Sequence, residues 1–457
     1  MKQIKGPKTP RLWQTIQWST NPIRYMEDAA ANFPDLFKAQ IDPVSNYQVL
    51  LVHPQAIQEF FTKPEFVNGA KSIVRPVAGD ESLFVQVGDR HKSQRKLLMP
   101  PFHGARMRSY GQLVCEITDN AITKIPLKQT ASARAVMEEI SLQVILKAVF
   151  GLYEGERCQQ LQQLLLYWAR LFHSPIFNSL LFFSFLQQDW GSWSPWGKFI
   201  RKRQQIHQLL LSEIRDRRAH PDPDRTDILS MLLSARHEDG ELMSDLEIRD
   251  QLLTLLLGGY ETTATAMAWS VYWSQFYPEM KAKLLQEIDR LGDRPNPADI
   301  VRLPYLTAFC QETLRINPVL PITLPRTVES PVKLMGYELE PGIMIRGCIY
   351  TLHQREEIYP NPRQFKPERF LERQFSPYEF IPFGGGKRRC IGAALAMFEM
   401  KLVLATILSR YQIELVDEKP IKPALFGVTL VPAGGVKIVV KGRRVPQQYR
   451  QAIANSL

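Results

Sequence analysis

The chain has 457 residues, 45% of them hydrophobic and 23% charged, an ordinary globular composition in a chain above the usual single-core size. Its five cysteines, Cys115, Cys158, Cys310, Cys348 and Cys390, are odd in number, widely spaced and without a C-x-x-C pair. That pattern excludes a disulfide framework and a zinc site, and a reducing, cytoplasmic compartment is expected. The formal charge of +11 raises anionic partners, but no helix-turn-helix, RNP-like or finger pattern accompanies it, so no nucleic acid is expected.

No Gly/Ser linker, low-complexity tract or repeat divides the chain, and one domain over 1–457 is expected. The stretch Met1 to Pro10 has neither an apolar signal core nor a spanning run. The most apolar stretch elsewhere, Ile176 to Leu186, is shorter than the roughly 20 residues a bilayer requires.

In chain order, Asn21 to Phe33 reads as an amphipathic helix ending near Pro34. Leu36 to Val52 alternates as two short strands, and His53-Pro54 opens a helix through Phe61, which together make a small β-rich lobe over about 36–61. Ser72 to Val87, with Val74, Val77, Leu83 and Phe84, reads as a Pro- and Gly-bearing loop. The helix starting at Gly88 puts His91 and Arg95 on one face at i, i+4. Met107 to Leu171 is helical in period, with a break at Gly151 and Gly155. Phe172, Phe177, Phe182, Phe183, Phe185, Trp190, Trp193 and Trp196 then crowd one segment, and its part 176–196 is a candidate for peripheral membrane contact.

Ser244-Asp245-Leu246-Glu247 is a capping box. It opens a helix to about Tyr277, roughly 50 Å long at 1.5 Å per residue. Leu252 to Leu257 is apolar nearly all round and therefore buried, and Gly258-Gly259-Tyr260-Glu261-Thr262-Thr263 follows. Two glycines inside a buried helix cost about 1 kcal/mol each relative to alanine, so a local requirement compensates. Glu261 stands mid-helix, where an unpaired carboxylate is expensive. Further on, Glu312 and Arg315 stand at i, i+3 and can pair. Val319 to Pro325 reads as a strand ended by Arg326, and Val332 to Arg346 as a hairpin around Gly336 and Pro341-Gly342, a second β contribution over about 328–350. A helix from Ala393 to about Tyr411 precedes a hairpin over Pro420 to Val440, with Phe426-Gly427-Val428-Thr429 at its tip.

Between them lies Phe383-Gly384-Gly385-Gly386-Lys387-Arg388-Arg389-Cys390-Ile391-Gly392. One cysteine stands among glycines and cations just ahead of a helix, where backbone N–H groups and positive charge favour a thiolate that can bind iron. Three glycines and three cations make poor core, and a P-loop fails because Lys387 is followed by Arg rather than Ser or Thr.

This stretch resembles the cytochrome P450 haem-binding signature F-x-x-G-x-R-x-C-x-G at every fixed position, through Phe383, Gly386, Arg388, Cys390 and Gly392. The resemblance extends from about residue 40 to 440. It implies a mainly α fold with small β-sheets, a large helical lobe beside a smaller β-rich one, and haem b with Cys390 as axial ligand. It also implies propionate contacts from His91, Arg95, Arg326 and Arg388. Gly258 to Thr263 is similar to the family's oxygen-side helix motif, which opens locally and in which Glu261 and Thr262 relay protons. Glu312 and Arg315, with Arg369 of Pro367-Glu368-Arg369-Phe370, match a bracing triad. The family layout puts Val74, Leu83, Phe84, Leu255, Gly258, Val319, Ile322, Phe426 and Val428 at the substrate pocket.

The resemblance implies monooxygenation: one atom of O2 enters an apolar molecule such as a fatty acid, alkane or terpenoid. No flavin fingerprint or ferredoxin cysteine set is present, so electrons come from a separate ferredoxin or flavodoxin with its reductase. Lys387, Arg389, Lys92, Lys96 and Lys401 are expected on the face that meets it. A monomer is expected. The alternatives are a haem-thiolate isomerase or dehydratase, which needs no acid and alcohol pair, and a haem sensor without turnover.

Overall fold

The computed structural model describes residues 2–41, 46–68, 71–102, 104–153, 155–172, 187–292 and 295–444. Its centre is the helix Asp245–Phe276, which starts where the sequence capping box requires. The Ser244 Oγ accepts from the Glu247 N–H at 3.2 Å, and the Glu247 carboxylate accepts from the Ser244 N–H at 2.8 Å. Tyr277 ends it, and Pro278 begins the next helix because its ring needs no N–H partner there. Residues on every side of the central helix are buried, from Ile248 through Leu256 to Tyr272. Helices Ala133–Val144, Ala393–Arg410 and Pro195–Ala219 surround it. The Ser141 hydroxyl donates to the Tyr260 carbonyl at 3.0 Å, fastening the first of these to the Gly258–Thr263 stretch.

The β-rich part is built from β1 (Leu36–Ala39), β2 (Gln48–Leu51), β3 (Phe66–Asn68), β5 (Arg326–Val328) and β8 (Met344–Gly347). They form one five-stranded sheet in the order β1-β2-β8-β5-β3. β2 and β8 run parallel with Leu50 opposite Arg346, while the other pairs are antiparallel. The short pair β6 (Val332–Leu334) and β7 (Tyr337–Leu339) forms the expected hairpin. β4 (Thr130–Ser132), β12 (Lys437–Arg443) and β9 (Tyr411–Leu415) make a three-stranded sheet, and β10 (Pro423–Phe426) pairs with β11 (Thr429–Pro432). The five-stranded sheet covers a core of its own with Leu36, Phe60, Phe61 and Ile345. A third cluster gathers Tyr25, Met26 and Phe37.

Several expectations change. A helix spans Arg11–Thr20, a stretch for which no element was expected. The segment read as a loop from Ser72 begins with the helix Lys71–Ala78, which contains Pro76; Val77 and Ala78 are buried, and that packing outweighs the proline. Val319 to Pro325 is not a strand, and Arg326 starts one rather than ending it. Lys437–Arg443 leaves the Pro420–Val440 hairpin to join β9. In the aromatic segment Trp190 and Trp193 are exposed and stacked, while Trp196 is buried against Phe199. Phe177, Phe182, Phe183 and Phe185, with most of the proposed membrane-contacting stretch, lie outside the described residues. Among the described residues no helix is long and apolar enough to cross a membrane.

Candidate functional site

The cysteine loop is folded hard against the helix Pro54–Thr62. Gly386 has φ +61°, and a Cβ there would lie 2.6 Å from the Phe61 carbonyl; one on Gly385 would meet the Phe61 ring at 2.5 Å. Glycine is therefore required by contact as well as by backbone conformation. The Cys390 N–H donates to the Phe383 carbonyl at 2.9 Å, the Phe383 side chain packs on the main core, and the Gly392 N–H donates to the sulfur. Cys390 is exposed whereas the other four cysteines are buried. Even so, burial pushes its thiol above the ordinary value, despite the Gly392 amide, Arg95 and Arg389. Both facts describe a sulfur that faces an internal cavity: water reaches it, but protein surrounds it. Burial thus opposes the thiolate that the Gly392 amide, Arg95 and Arg389 favour, and a bound metal cation would add to their side.

Around the sulfur stand the four expected cationic-type residues. Arg388 donates to the Leu83 carbonyl at 3.0 Å and to that of Gln86. Arg326 donates to the Phe60 carbonyl at 2.7 Å, with its guanidinium over the Phe60 ring. Burial lowers both guanidiniums to about 10, and Arg326 and Arg95 add to the effect on Arg388. Burial, then Arg388 and Arg95, hold His91 at about 4. His91 is thus neutral at pH 7, a hydrogen-bond donor rather than the charge expected of it. Among the described residues no carboxylate pairs with Arg95, Arg326 or Arg388. Buried cations without a counterion are expensive, and a ligand carrying two carboxylates, as haem does, fits them.

Across the cavity runs the turn after Gly79. The Ser82 and Thr254 hydroxyls share a 2.7 Å hydrogen bond, and the Leu83 N–H donates to Gln251 Oε1 at 3.2 Å. The Phe84 ring reaches Gly258, where an added Cβ would lie 3.5 Å from it. Leu255 is buried one turn earlier. The Thr262 hydroxyl donates to the Gly258 carbonyl at 2.5 Å. The central helix stays α-helical through Gly258–Thr263, so the expected local opening is not seen. Glu261 accepts from the Thr429 hydroxyl at 2.8 Å and lies 3.6 Å from Arg134, whose guanidinium stacks 4.4 Å from the Phe426 ring centroid. Arg134 was flagged by no sequence motif, whereas Thr429 belongs to the hairpin tip named from the sequence; three distant segments bring them together with Glu261.

Two pocket assignments are corrected. Val428, at the hairpin tip, is 71% exposed and turns outward, leaving Thr429 to face the helix. Ile322 packs against the Tyr25–Met26 cluster and bridges to Cys348. Val319 is buried, and its carbonyl accepts from the Leu430 N–H at 2.7 Å, so the hairpin and this segment are joined. Val74 is half-buried on the helix Lys71–Ala78. Among the surface cations Lys387, Arg389 and Lys92 are exposed. Lys96 pairs with Glu238 at 3.2 Å, and half-buried Lys401 donates to the Val301 carbonyl at 2.5 Å.

The triad assembles as the spacing suggested. Arg315 grips Glu312 with two bonds of 2.6 and 2.9 Å, and Arg369 joins at 3.1 Å. Glu312 and Arg315 are wholly buried, and the Lys366 N–H adds a 2.8 Å bond to the carboxylate. His353, unforeseen in sequence, extends the network. Its Nδ1–H donates to the Arg315 carbonyl at 3.2 Å, and its Nε2 accepts from the Ile381 N–H at 3.0 Å, nine residues before Cys390.

The chain is similar to known proteins over nearly its whole length. A family model described as Cytochrome P450 matches residues 5–439. Proteins named "Putative cytochrome P450 135B1" from Mycobacterium bovis and Mycobacterium tuberculosis are 32% identical over 98% of this chain and 93% of their own length. The Mycobacterium tuberculosis protein "Putative cytochrome P450 138" is 31% identical over 96% of each chain. Among solved structures, the cytochrome P450DA haem domain superposes with a TM-score of 0.84 at 24% identity, covering 96% of this chain and 98% of its own. Retinoic acid-bound cyanobacterial CYP120A1 superposes with a TM-score of 0.83 at 22% identity, covering 97% of this chain and all of its own.

The bracing network has two testable outcomes. Glu312→Ala strands two buried guanidiniums and is expected to cost about 3–5 kcal/mol; urea unfolding and Soret absorbance should report a destabilised chain that incorporates little haem, and normal incorporation would contradict the bracing role. The second concerns pH. Burial, then Arg315, push folded His353 down from 6.5 to about 3. Between those values the unfolded chain binds the extra proton, so this contribution is complete above about 6.5 and is lost as pH falls toward 3, at up to ~1.4 kcal/mol per pH unit. His353→Gln keeps an acceptor for the Ile381 amide and should flatten that part of the stability profile relative to the parent; superimposable slopes would refute it.

Proposed function

Since the chain belongs to the cytochrome P450 family and is a haem b-dependent monooxygenase, we propose that it hydroxylates an elongated apolar molecule of the fatty acid, alkane or terpenoid class. Electrons come from a separate ferredoxin or flavodoxin. The observation that carries the substrate reading is the apolar contact of the Phe84 ring with Gly258, one turn before Thr262, with Leu83 and Leu255 buried in the adjoining segments. Val319 and Phe426 extend that apolar wall. Retinoic acid, the terpenoid bound in CYP120A1, belongs to the class that such a wall accepts.

Bound haem supplies the oxygen chemistry of a thiolate-ligated iron. The chain's own part is positioning. Cys390 provides the sulfur, and Gly385 and Gly386 let its loop lie close to Phe61. Arg95, Arg326 and Arg388 neutralise the propionates, with His91 donating a hydrogen bond. Thr262 presents a hydroxyl beside Gly258 and hands on a proton once it releases that carbonyl. Glu261, one residue earlier, is the acid that replenishes it, and Thr429 and Arg134 hold its carboxylate in place.

The reading is tested by the haem absorption on titration with fatty acids, alkanes and terpenes, followed by turnover with a surrogate ferredoxin and reductase. One of these series should shift the spectrum and yield a product heavier by one oxygen. Thr262→Ala should keep the haem but lower product formed per NAD(P)H oxidised by about tenfold or more, within the usual span of a lost proton donor. Unchanged coupling would remove Thr262 from the relay. For the partner, Lys92→Glu combined with Lys387→Glu should slow haem reduction more at low than at high ionic strength; an equal effect at both would sink the electrostatic docking face.

A further inference from the structure

A second basic cleft lies apart from the cysteine loop. Here the helix Lys71–Ala78 and the turn behind it meet the helix Pro195–Ala219 and the start of Asp245–Phe276. The cleft has a volume of about 350 Å³, and its lining includes Arg75, Asp80, Arg203, His207 and Arg249. Both nearby carboxylates are already committed. Asp80 pairs with Arg75, and Asp250 pairs with Arg249 at 2.7 Å while accepting from the Glu81 N–H at 3.0 Å.

Arg203 has no such partner among the described residues. It donates one N–H to the Pro76 carbonyl at 2.5 Å, and its Nε is buried without a hydrogen-bond partner. His207, four residues later on the same helix face, has a buried Nε2 in the same condition. Nearly all buried polar atoms are hydrogen-bonded, and these two adjacent exceptions belong to side chains that line one cavity. Electrostatics point the same way. Burial, then Arg249, lower Arg203, and burial with Arg249 and Arg203 hold His207 at about 4. Asp250 and Asp80 oppose this effect on Arg203, but Arg75, Arg203 and Arg249 outnumber them, so the balance in the cleft is basic.

We propose that this cleft binds a compact oxyanion, the carboxylate or phosphate of a small molecule, held by Arg203, His207 and Arg249. The guanidinium fork of Arg203 suits two oxygens at once, and the His207 Nε2–H donates to a third position. The bound anion ties the helix Lys71–Ala78 to the two long helices. Because the turn beyond that helix carries Ser82, Leu83 and Phe84 onto Thr254, Gln251 and Gly258, occupancy also steadies one wall of the haem cavity.

The test uses the haem-loaded enzyme and calorimetric titration at constant ionic strength, with inorganic phosphate, dodecanoate and dodecanol as probes against a chloride background. Saturable binding of phosphate at one site is expected, with a rise in unfolding temperature. Arg203→Gln and His207→Gln should each weaken it at least tenfold without altering the haem spectrum, which reports folding. If dodecanoate displaces phosphate and dodecanol does not, the natural ligand is the charged head of a longer molecule; if phosphate alone binds, it is a free oxyanion. Failure of both anions to saturate, or equal affinity in the parent and in both variants, would overturn the proposal.

Discussion

The Glu312 carboxylate is the fixed point of this molecule. Removed from water, it is held by two guanidiniums and one backbone N–H, and losing any one of them would leave buried charge uncompensated. Arg315 and Arg369 then direct their other N–H groups to the carbonyls of His353, Pro360, Pro362 and Gln364. A segment of irregular backbone is thereby given a single path. His353 carries that order to Ile381 and so into the loop that ends at Cys390. The ligand sulfur thus takes its position from an ion pair far from it in sequence.

A second constraint acts from the opposite side of the cavity. The central helix is buried all round and cannot shift, so the acid at Glu261 must be compensated where it stands. Arg134 and Thr429 do this. The compensation comes from the hairpin that also contributes Phe426 to the apolar wall, with Arg134 stacked on that ring. Substrate contact and the proposed proton route therefore share one set of side chains, and displacing the hairpin disturbs both.

Charge left uncompensated within the protein marks where ligands belong. Beside Cys390, three guanidiniums and a neutral histidine stand without a carboxylate partner among the described residues, an excess that the two propionates of haem would answer. The Arg203–His207 cleft repeats the logic on a smaller scale. Elsewhere buried arginines are matched: Arg217 meets Glu213 and Asp227 at 2.6 and 2.7 Å. The contrast between matched and unmatched sites distinguishes a binding role from a structural one.

Local rules in the sequence were enough to place the central helix between its capping box and Pro278, the two early strands, and the Glu312–Arg315 pair, because capping, alternation and i, i+3 spacing depend only on neighbours. The signature around Cys390 likewise carried the reaction class and the haem. Everything beyond those rules was set by packing between distant segments. The helix at Lys71 exists because Val77 and Ala78 find the core in spite of Pro76. Ile322 and Val428 left the pocket because neighbouring backbone turned one toward the N-terminal cluster and the other toward water. His353 and Arg134 carry no local pattern at all. Sequence by itself determined which chemical groups the chain owns and how short stretches fold; only the tertiary structure decided which of those groups are desolvated together, and desolvation is what turns an arginine, a histidine or a cysteine into part of a site.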